Sequence, residues 1–389
     1  MWRYSLAPSV IYKESSMIEE FYTKLMNFQT DQFNIFIDWL KDSNIFYNDG
    51  KVILFINVIL TCSEYNPKNI QNYAKILKEV QHTFQICFQN VNVNNYLLNI
   101  ISDPLYLTNS QCLLLLSCFK MKIFDIEQFL IYFHSYFNTD YEIPKKWLKI
   151  LVWFGPLIEN SDPQFFQDCV RQYVVIFKNL FASEKMKKKA LEFDELHLKN
   201  NWSYVTQPDL IGQNPDKLVN IIKNDDVSAL IELHQLKKFK INQRIQSSII
   251  ELNSMMKNSP TLIEVSALFN SINCFKFLFQ KRAKLTLCDK KGLNVVHYAA
   301  AGGSTEILNI LNDLGVSFNG AIHFAALFHK YDTFDSLYQT NQDCFDKTIE
   351  IYGTVLHMCA KSNNIKNLIF CIQNNMNVNS RNEILFFYV

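Results

Sequence analysis

The fold is decided by residues 289–308, which read DKKGLNVVHYAAAGGSTEIL. Within this stretch Gly292 permits a tight turn, and Gly303 can take a positive φ where a first helix ends. Two small residues between them, Ala299 and Ala300, let a neighbouring helix approach closely. The apolar stripe of a second helix follows, formed by Ile307, Leu308 and Leu311. The stretch therefore predicts a turn followed by two short antiparallel helices.

This arrangement resembles the ankyrin repeat, a unit of about 33 residues that consists of a β-turn and two antiparallel helices. The residues resemble the family pattern D-x-x-G-x-T-P-L-H-x-A-A-x-x-G-x-x-E-I-V, with Val295 standing where the family has proline. In that family the histidine bonds the backbone of adjoining turns. The resemblance therefore implies a structural role for His297 and predicts a solenoid of short helices with β-turn fingers.

The spacing of this pattern predicts further repeats. Glu264 lies 33 residues before His297, and downstream His323 opens the sequence HFAA. His357 opens HMCA shortly after Gly353, where Val355 again replaces the family's proline. Only 26 residues separate His297 from His323, so the turn between these two repeats is predicted to be shortened.

A degenerate repeat precedes these four and lacks the histidine motif. Its offset to the next repeat is 45 residues, which is 33 plus 12, so an insertion is predicted near residues 243–259. The predicted repeat boundaries are 216–258, 259–288, 289–319, 320–349 and 350–382. No polar cap follows the last repeat, and two interpretations stay open: residues 383–389 cover its end, or the chain is an abbreviated member.

The N-terminal part, residues 1–200, is predicted to be an all-helical domain, with residues 201–215 as a linker to the repeats at 216–389. Apolar residues recur there at helical spacing, for example at Phe33, Phe36, Ile37 and Leu40, and at Ile70, Tyr73, Ala74 and Leu77. The fold class is therefore all-α. The combination of a helical domain and irregular repeats resembles ankyrin-repeat proteins of a large family expanded in parasitic protozoa.

Composition and charge exclude several classes of function. The 38 Lys and Arg residues balance 37 Asp and Glu residues, which argues against nucleic acid as the partner. The apolar stretches are too short to insert into a membrane, and the N-terminus does not resemble a secretory signal. The ten cysteines form no C-x-x-C pair, which favours reduced thiols in the cytoplasm and no metal site.

Ankyrin repeats bind proteins through their turn tips and the concave face of the first helices, so the resemblance implies candidate contact residues. On the concave face these are Tyr298, Ala301, Phe324, Leu327, Phe328, Met358 and Lys361. At the turn before His297 they are Asp289, Lys290 and Lys291. Two alternative interpretations stay open: Phe324 and Phe328 fill space left by the shortened turn, and the charged turn residues are simply solvated.

The sequence predicts a non-enzymatic protein-interaction module or scaffold. It contains no G-x-S-x-G, no glycine-rich phosphate loop and no H-E-x-x-H, and no cofactor is expected. One alternative is a substrate-recognition adaptor of a ubiquitin ligase, although no recognisable box accompanies the repeats. Another is a catalytic N-terminal domain with unfamiliar motifs. The sequence names neither the partner protein nor the oligomeric state.

Overall fold

The structure, a computed structural model, divides the chain into two compact units. The described residues are 8–43, 49–87, 96–97, 107–137, 144–178, 183–199, 201–207, 210–211, 214–236, 238–342, 345, 347–349 and 352–380. The first unit, here the helical unit, comprises residues 27–215 and 248–253. The second, here called the ankyrin unit after the repeat that its sequence resembles, comprises residues 1–26, 216–247 and 254–389. The terminal segment 383–389, proposed above as a cover for the last repeat, lies outside the described residues.

These units differ from the predicted division at residues 200 and 215 in two places. The N-terminal helix α1, Pro8–Met26, belongs to the ankyrin unit, where the ring of Tyr22 stacks on the ring of His329 at 5.3 Å. Residues 248–253 belong to the helical unit, because main-chain groups of this short segment hydrogen-bond side chains of its helices. Hydrophobic periodicity alone does not show which unit a helix or loop joins.

Nine α-helices are described in the helical unit. They are α2 Phe33–Asp42, α3 Asp49–Tyr65, α4 Ile70–Cys87, α5 Asn109–Lys120, α6 Ile126–Phe137, α7 Pro144–Ser161, α8 Pro163–Phe177, α9 Glu184–Asp194 and α10 Ser203–Thr206. The predicted apolar faces of α2 and α4 are confirmed, since Phe36, Ile37 and Leu40 of α2 are buried, as are all four positions named in α4. The described chain is mostly helical and contains isolated β-bridges rather than extended strands, which confirms the predicted all-α class.

Helix α5 lies in the centre of the helical unit and contacts α3, α4 and α7. Nine of its 12 residues are buried, as expected for a helix that has neighbours on several sides. A capping box starts it, in which the Gln111 N–H donates to the Thr108 hydroxyl at 3.2 Å and the Thr108 N–H donates to the Gln111 side chain at 2.9 Å. The indole of the fully buried Trp153 on α7 donates to the side chain of Asn109 at 3.3 Å.

The ankyrin unit contains five helix pairs after α1. They are α11 Lys217–Lys223 with α12 Val227–His234, α13 Leu262–Leu268 with α14 Ile272–Gln280, α15 Val295–Gly302 with α16 Thr305–Asp313, α17 Ala321–Leu327 with α18 Tyr331–Thr340, and α19 Val355–Lys361 with α20 Ile365–Gln373. The first helix of each pair packs on the first helix of the next. The first pair is the degenerate repeat, and its helices fall where the sequence predicts them.

Helix α1 contacts α20, the second helix of the last pair. The C-terminal repeat therefore has a helical neighbour that comes from the opposite end of the sequence. Of the helices in the described part of the chain, none is both long enough and apolar enough to cross a membrane.

Candidate functional site

The loops that join successive helix pairs of the ankyrin unit are called fingers here. An antiparallel bridge closes the first finger between Arg244 and Thr261, and another closes the second between Cys288 and Asn294. The bridged residues are 17 positions apart in the first finger and 6 in the second (261 − 244 and 294 − 288), so the first finger holds 11 extra residues. The extra residues lie between the two bridged positions, which overlaps the insertion predicted near residues 243–259.

One hydrogen-bond pattern recurs at the start of the first helices. The residue three positions into the helix accepts a hydrogen bond from the backbone N–H of the capping residue, as in a capping box. The pairs are Thr261 with Glu264 at 2.6 Å, Asn294 with His297 at 3.1 Å, and Thr354 with His357 at 3.2 Å. Glu264 therefore takes the place of the repeat histidine, as its 33-residue spacing predicts.

The buried histidines also contact the backbone of the following finger. His323 Nε2 lies 2.9 Å from the carbonyl oxygen of Lys347, and His297 hydrogen-bonds the backbone of Asn319. Burial lowers the pKa of both imidazoles to about 4, so the rings are neutral at pH 7. A neutral ring can accept at one nitrogen and donate at the other, which suits a structural bridge between adjacent repeats.

Asp289, predicted as a contact residue, organises the second finger from inside. One carboxylate oxygen accepts from the backbone N–H groups of Lys291 and Leu293, at 2.7 and 2.9 Å. The other accepts from the hydroxyl of Tyr298 at 2.8 Å, and that hydroxyl lies 3.1 Å from the carbonyl of Met255. Asp289 and Tyr298 are therefore both buried parts of the fold.

The predicted row of exposed apolar residues on the first helices is not exposed, which corrects the sequence prediction. The buried members are Tyr298, Ala301, Phe324, Leu327, Phe328 and Met358. The ring of Phe324 packs edge-on against those of His297 and Tyr352, at 5.2 and 5.1 Å. The alternative interpretation, in which Phe324 and Phe328 fill space left by the shortened turn, is compatible with this burial. Of the concave-face candidates only Lys361 is exposed.

Two adjacent glycines set the contact between the second and third helix pairs. Gly303 ends α15 with φ of +72°, as the family pattern implies. A Cβ atom on Gly302 would lie 2.4 Å from the carbonyl oxygen of Leu268 and 2.7 Å from that of Ala267. Ala299 and Ala300 are fully buried, as expected from their predicted packing role, but the closest backbone approach falls at Gly302.

The turn residues Lys290 and Lys291 are exposed, and sequence reasoning missed five other exposed basic residues on the first two fingers. These are Lys238, Lys240, Lys281, Arg282 and Lys284. The signal was present in the sequence: between Glu264 and Glu306 there are six Lys and Arg residues but one acidic residue, Asp289. A neutral net charge for the whole chain concealed this local excess.

Comparison with known proteins finds likeness in fold alone. No family model matches the chain, and no curated protein does. A chain of the complex between the Bd0816 predatory endopeptidase of Bdellovibrio bacteriovorus and immunity protein Bd3460 is similar at 17% identity and a TM-score of 0.33, over 44% of this chain and 87% of that one. The human ASB11 ankyrin repeat domain is similar at 17% identity and a TM-score of 0.32, over 43% of this chain and 71% of that one.

Within the described part of the chain, no three His, Cys, Asp or Glu side chains are grouped in a way that could hold a metal ion. Eight of the cysteines are described as free thiols, and seven of them are buried. Burial raises the pKa of the Cys169 and Cys274 thiols to about 12, which keeps them protonated and weakly nucleophilic at pH 7. The seven buried thiols thus behave as small apolar core groups.

Proposed function

We propose that the ankyrin unit is a non-enzymatic protein-binding module that contacts its partner through the exposed sides of the fingers. The observation that carries this proposal is the separation of roles within the motif. The motif histidines are engaged in capping and bridging the repeats, and Asp289 is engaged in forming the turn. The side chains that vary between fingers, such as Lys290, Lys291 and Asn319, point to solvent.

The buried apolar row on the first helices is left out of this proposed surface, because a partner would have to unpack the repeats to reach it. Lys361 stays within the proposal, since it is exposed at the end of a first helix. The ubiquitin-ligase adaptor, the cytoplasmic location and membership of the protozoan family stay predictions from the sequence. None of the contacts described above favours one of them.

The proposal can be tested with steric variants that leave charge unchanged. Thr286 in the second finger and Asn319 in the third are both exposed, so replacing each with Trp blocks the finger surface without opening the core. Tagged wild-type chain and the variant Thr286→Trp/Asn319→Trp would be purified from the source cells. The proteins that accompany them would be quantified by mass spectrometry.

A matched control is Asn309→Trp, which adds the same bulk to an exposed position on the second helix α16. We expect at least one stoichiometric partner to be lost from the finger variant and kept by the control. Equal thermal unfolding of all three proteins would show that the repeats stay folded. If every accompanying protein survives the finger substitutions as well as it survives the control, the finger surface is not the binding site.

A further inference from the structure

The first two fingers carry seven exposed, positively charged side chains, here called the basic finger surface. Its members are Lys238, Lys240, Lys281, Arg282, Lys284, Lys290 and Lys291, all of them exposed. The chain as a whole has a net charge of only +1, so this surface is a local feature. Because it combines residues from two loops more than 40 positions apart, it is formed by folding.

Hydrogen bonds join the two fingers that carry these charges. The backbone N–H of Lys284 donates to the Asn242 side chain at 2.8 Å, and that of Lys290 donates to the Asn258 carbonyl at 3.0 Å. Between them the guanidinium of Arg244 donates to the carbonyls of Ser259 and Cys288. The fingers are therefore joined at several points along their length, and the side chains of the basic finger surface take no part in this framework.

The positive charges are not neutralised locally. None of the seven side chains forms an ion pair within the described residues, whereas Lys276 nearby pairs with Glu306 at 2.7 Å. The two carboxyl groups beneath the fingers, those of Glu264 and Asp289, are buried and engaged in hydrogen bonds to the repeat. The surface therefore presents uncompensated positive charge to solvent.

Resting on the proposed function, we infer that the basic finger surface binds an acidic segment of the partner protein. Carboxylates of an extended Asp- or Glu-rich segment would complement the lysine ammonium groups, which act as mobile point charges. The third finger, residues 314–320, carries no charged residue, so the basic finger surface is confined to the first two fingers. A nucleic-acid-binding domain is usually strongly basic overall, and this chain has a pI of about 7.5.

A direct test uses the full chain and a fluorescein-labelled glutamate peptide of about 12 residues, which spans about 40 Å when extended. Fluorescence anisotropy at low salt would compare it with a glutamine peptide of the same length. The test variant is Lys284→Glu/Lys290→Glu/Lys291→Glu. Because Lys284 and Lys290 enter the inter-finger bonds through their backbone, the substitutions leave that framework in place.

The matched control is Lys68→Glu/Lys75→Glu/Lys78→Glu, which makes the same charge change at exposed positions in the helical unit. We expect the wild type to prefer the glutamate peptide, and the finger variant to bind it at least about tenfold more weakly than the control does. Added salt should weaken the wild-type binding, because exposed charges are screened.

Three outcomes would overturn the inference. They are equal binding of the glutamate and glutamine peptides, equal loss in the finger and control variants, and tighter finger-dependent binding of duplex DNA or of anionic phospholipid vesicles used in the same assay. If one of these occurs while the neutral Trp substitutions still remove a partner, the inference that the partner segment is acidic is wrong, and the proposal that the fingers bind a protein stands. If the Trp substitutions also have no effect, both proposals fail.

Discussion

In the ankyrin unit a few contacts recur, whereas in the helical unit each contact occurs once. The same cap starts three of the first helices, and Glu264 and His297, which are 33 positions apart, occupy equivalent places in it. The helical unit depends instead on individual large side chains such as Trp153 and Trp202, each with its own partners. Repetition makes one unit predictable from sequence, and its absence leaves the other predictable only as amphipathic helices.

The largest expected effect comes from a contact that occurs once. Trp202 is buried, its indole donates to Glu159 at 2.9 Å, and its ring fills the space above Gly155. Trp202→Ala should lower the free energy of unfolding of the helical unit by about 4 kcal/mol. Hydrogen exchange measured for each unit would check this, with lost protection expected in α7 and α8. Unchanged exchange in those helices would contradict the expectation.

A substitution that disrupts the packing between repeats should lower the free energy of unfolding somewhat less than Trp202→Ala does. Gly302→Ala places a Cβ against the carbonyl oxygens of Leu268 and Ala267, so two helix pairs must move apart, at about 3 kcal/mol. Gly292→Ala is the matched control, because its φ is +79° but no atom lies within 4 Å of the added methyl, and it should cost about 1 kcal/mol. Denaturant unfolding distinguishes the two. Equal losses would mean that the close approach at Gly302 is unimportant.

A fall in pH should destabilise the ankyrin unit before the helical unit, because the ankyrin unit holds the three buried histidines of the described residues. These are His297, His323 and His329. Burial lowers their pKa values to about 4, so below pH 6.5 the unfolded chain takes up protons that the folded unit does not. Stability is then lost as the pH falls from 6.5 towards 4. Glu264 acts in the opposite sense, because burial raises its pKa to about 7.

Between pH 7 and pH 5 each of the three imidazoles should lower the free energy of unfolding by about 2 kcal/mol, whereas Glu264 should raise it by about 2 kcal/mol. The net loss of stability should therefore be about 4 kcal/mol. Denaturant unfolding across this range, read by hydrogen exchange in α13 to α20, measures it. A stability that is constant from pH 7 to pH 5 would contradict the burial of these neutral rings.

A smaller and more specific effect isolates Glu264. Its folded carboxyl has a raised pKa, so the wild type becomes less stable as the pH rises from 4.5 to 7, whereas Glu264→Gln keeps the cap without the charge. The stability of the variant relative to the wild type should rise by about 2 kcal/mol between pH 5 and pH 7. A difference that does not vary with pH would mean that this carboxyl is not desolvated.

The smallest effect should come from the finger tip. Lys290→Ala and Lys291→Ala remove exposed side chains whose backbone groups make the turn, so each should change stability by less than about 0.5 kcal/mol. Thermal unfolding would check this. A large loss would show that these lysines support the fold and would weaken their assignment to a binding surface.

The sequence predicts most of the ankyrin unit because its motif residues act locally. The frame from His297 places Glu264 in the correct cap, and the 45-residue offset locates the insertion. The burial of Tyr298 and Phe324 could not be predicted, because the motif gives the position of a side chain within one repeat and says nothing about what lies against it. The basic finger surface could have been predicted from the local charge excess around residues 281–291.

The assignment of α1 to the ankyrin unit and of residues 248–253 to the helical unit could not be predicted either. An apolar face on α1 shows that Tyr22 and its neighbours need a partner, but any other apolar surface satisfies the same pattern. The side-chain amide of Asn109 donates hydrogen bonds to the carbonyls of Ile249 and Glu251. Nothing in the sequence pairs these residues, which are about 140 positions apart, so the contact is seen only in the folded structure. Long-range pairings of this kind leave no periodic signal.

Each unit includes one segment that residues of the other unit separate, in the sequence, from the rest of its own unit. This arrangement sets the order in which the parts of each unit are synthesised. Helix α1 leaves the ribosome before any of the repeats that it joins, so its apolar face stays without α20 while the rest of the chain is made. The helical unit, in turn, is complete only when residues 248–253 emerge, after the first helix pair of the other unit. A nascent chain that stops near residue 215 would therefore contain a helical unit without residues 248–253 and a helix α1 without any of the repeats that it joins.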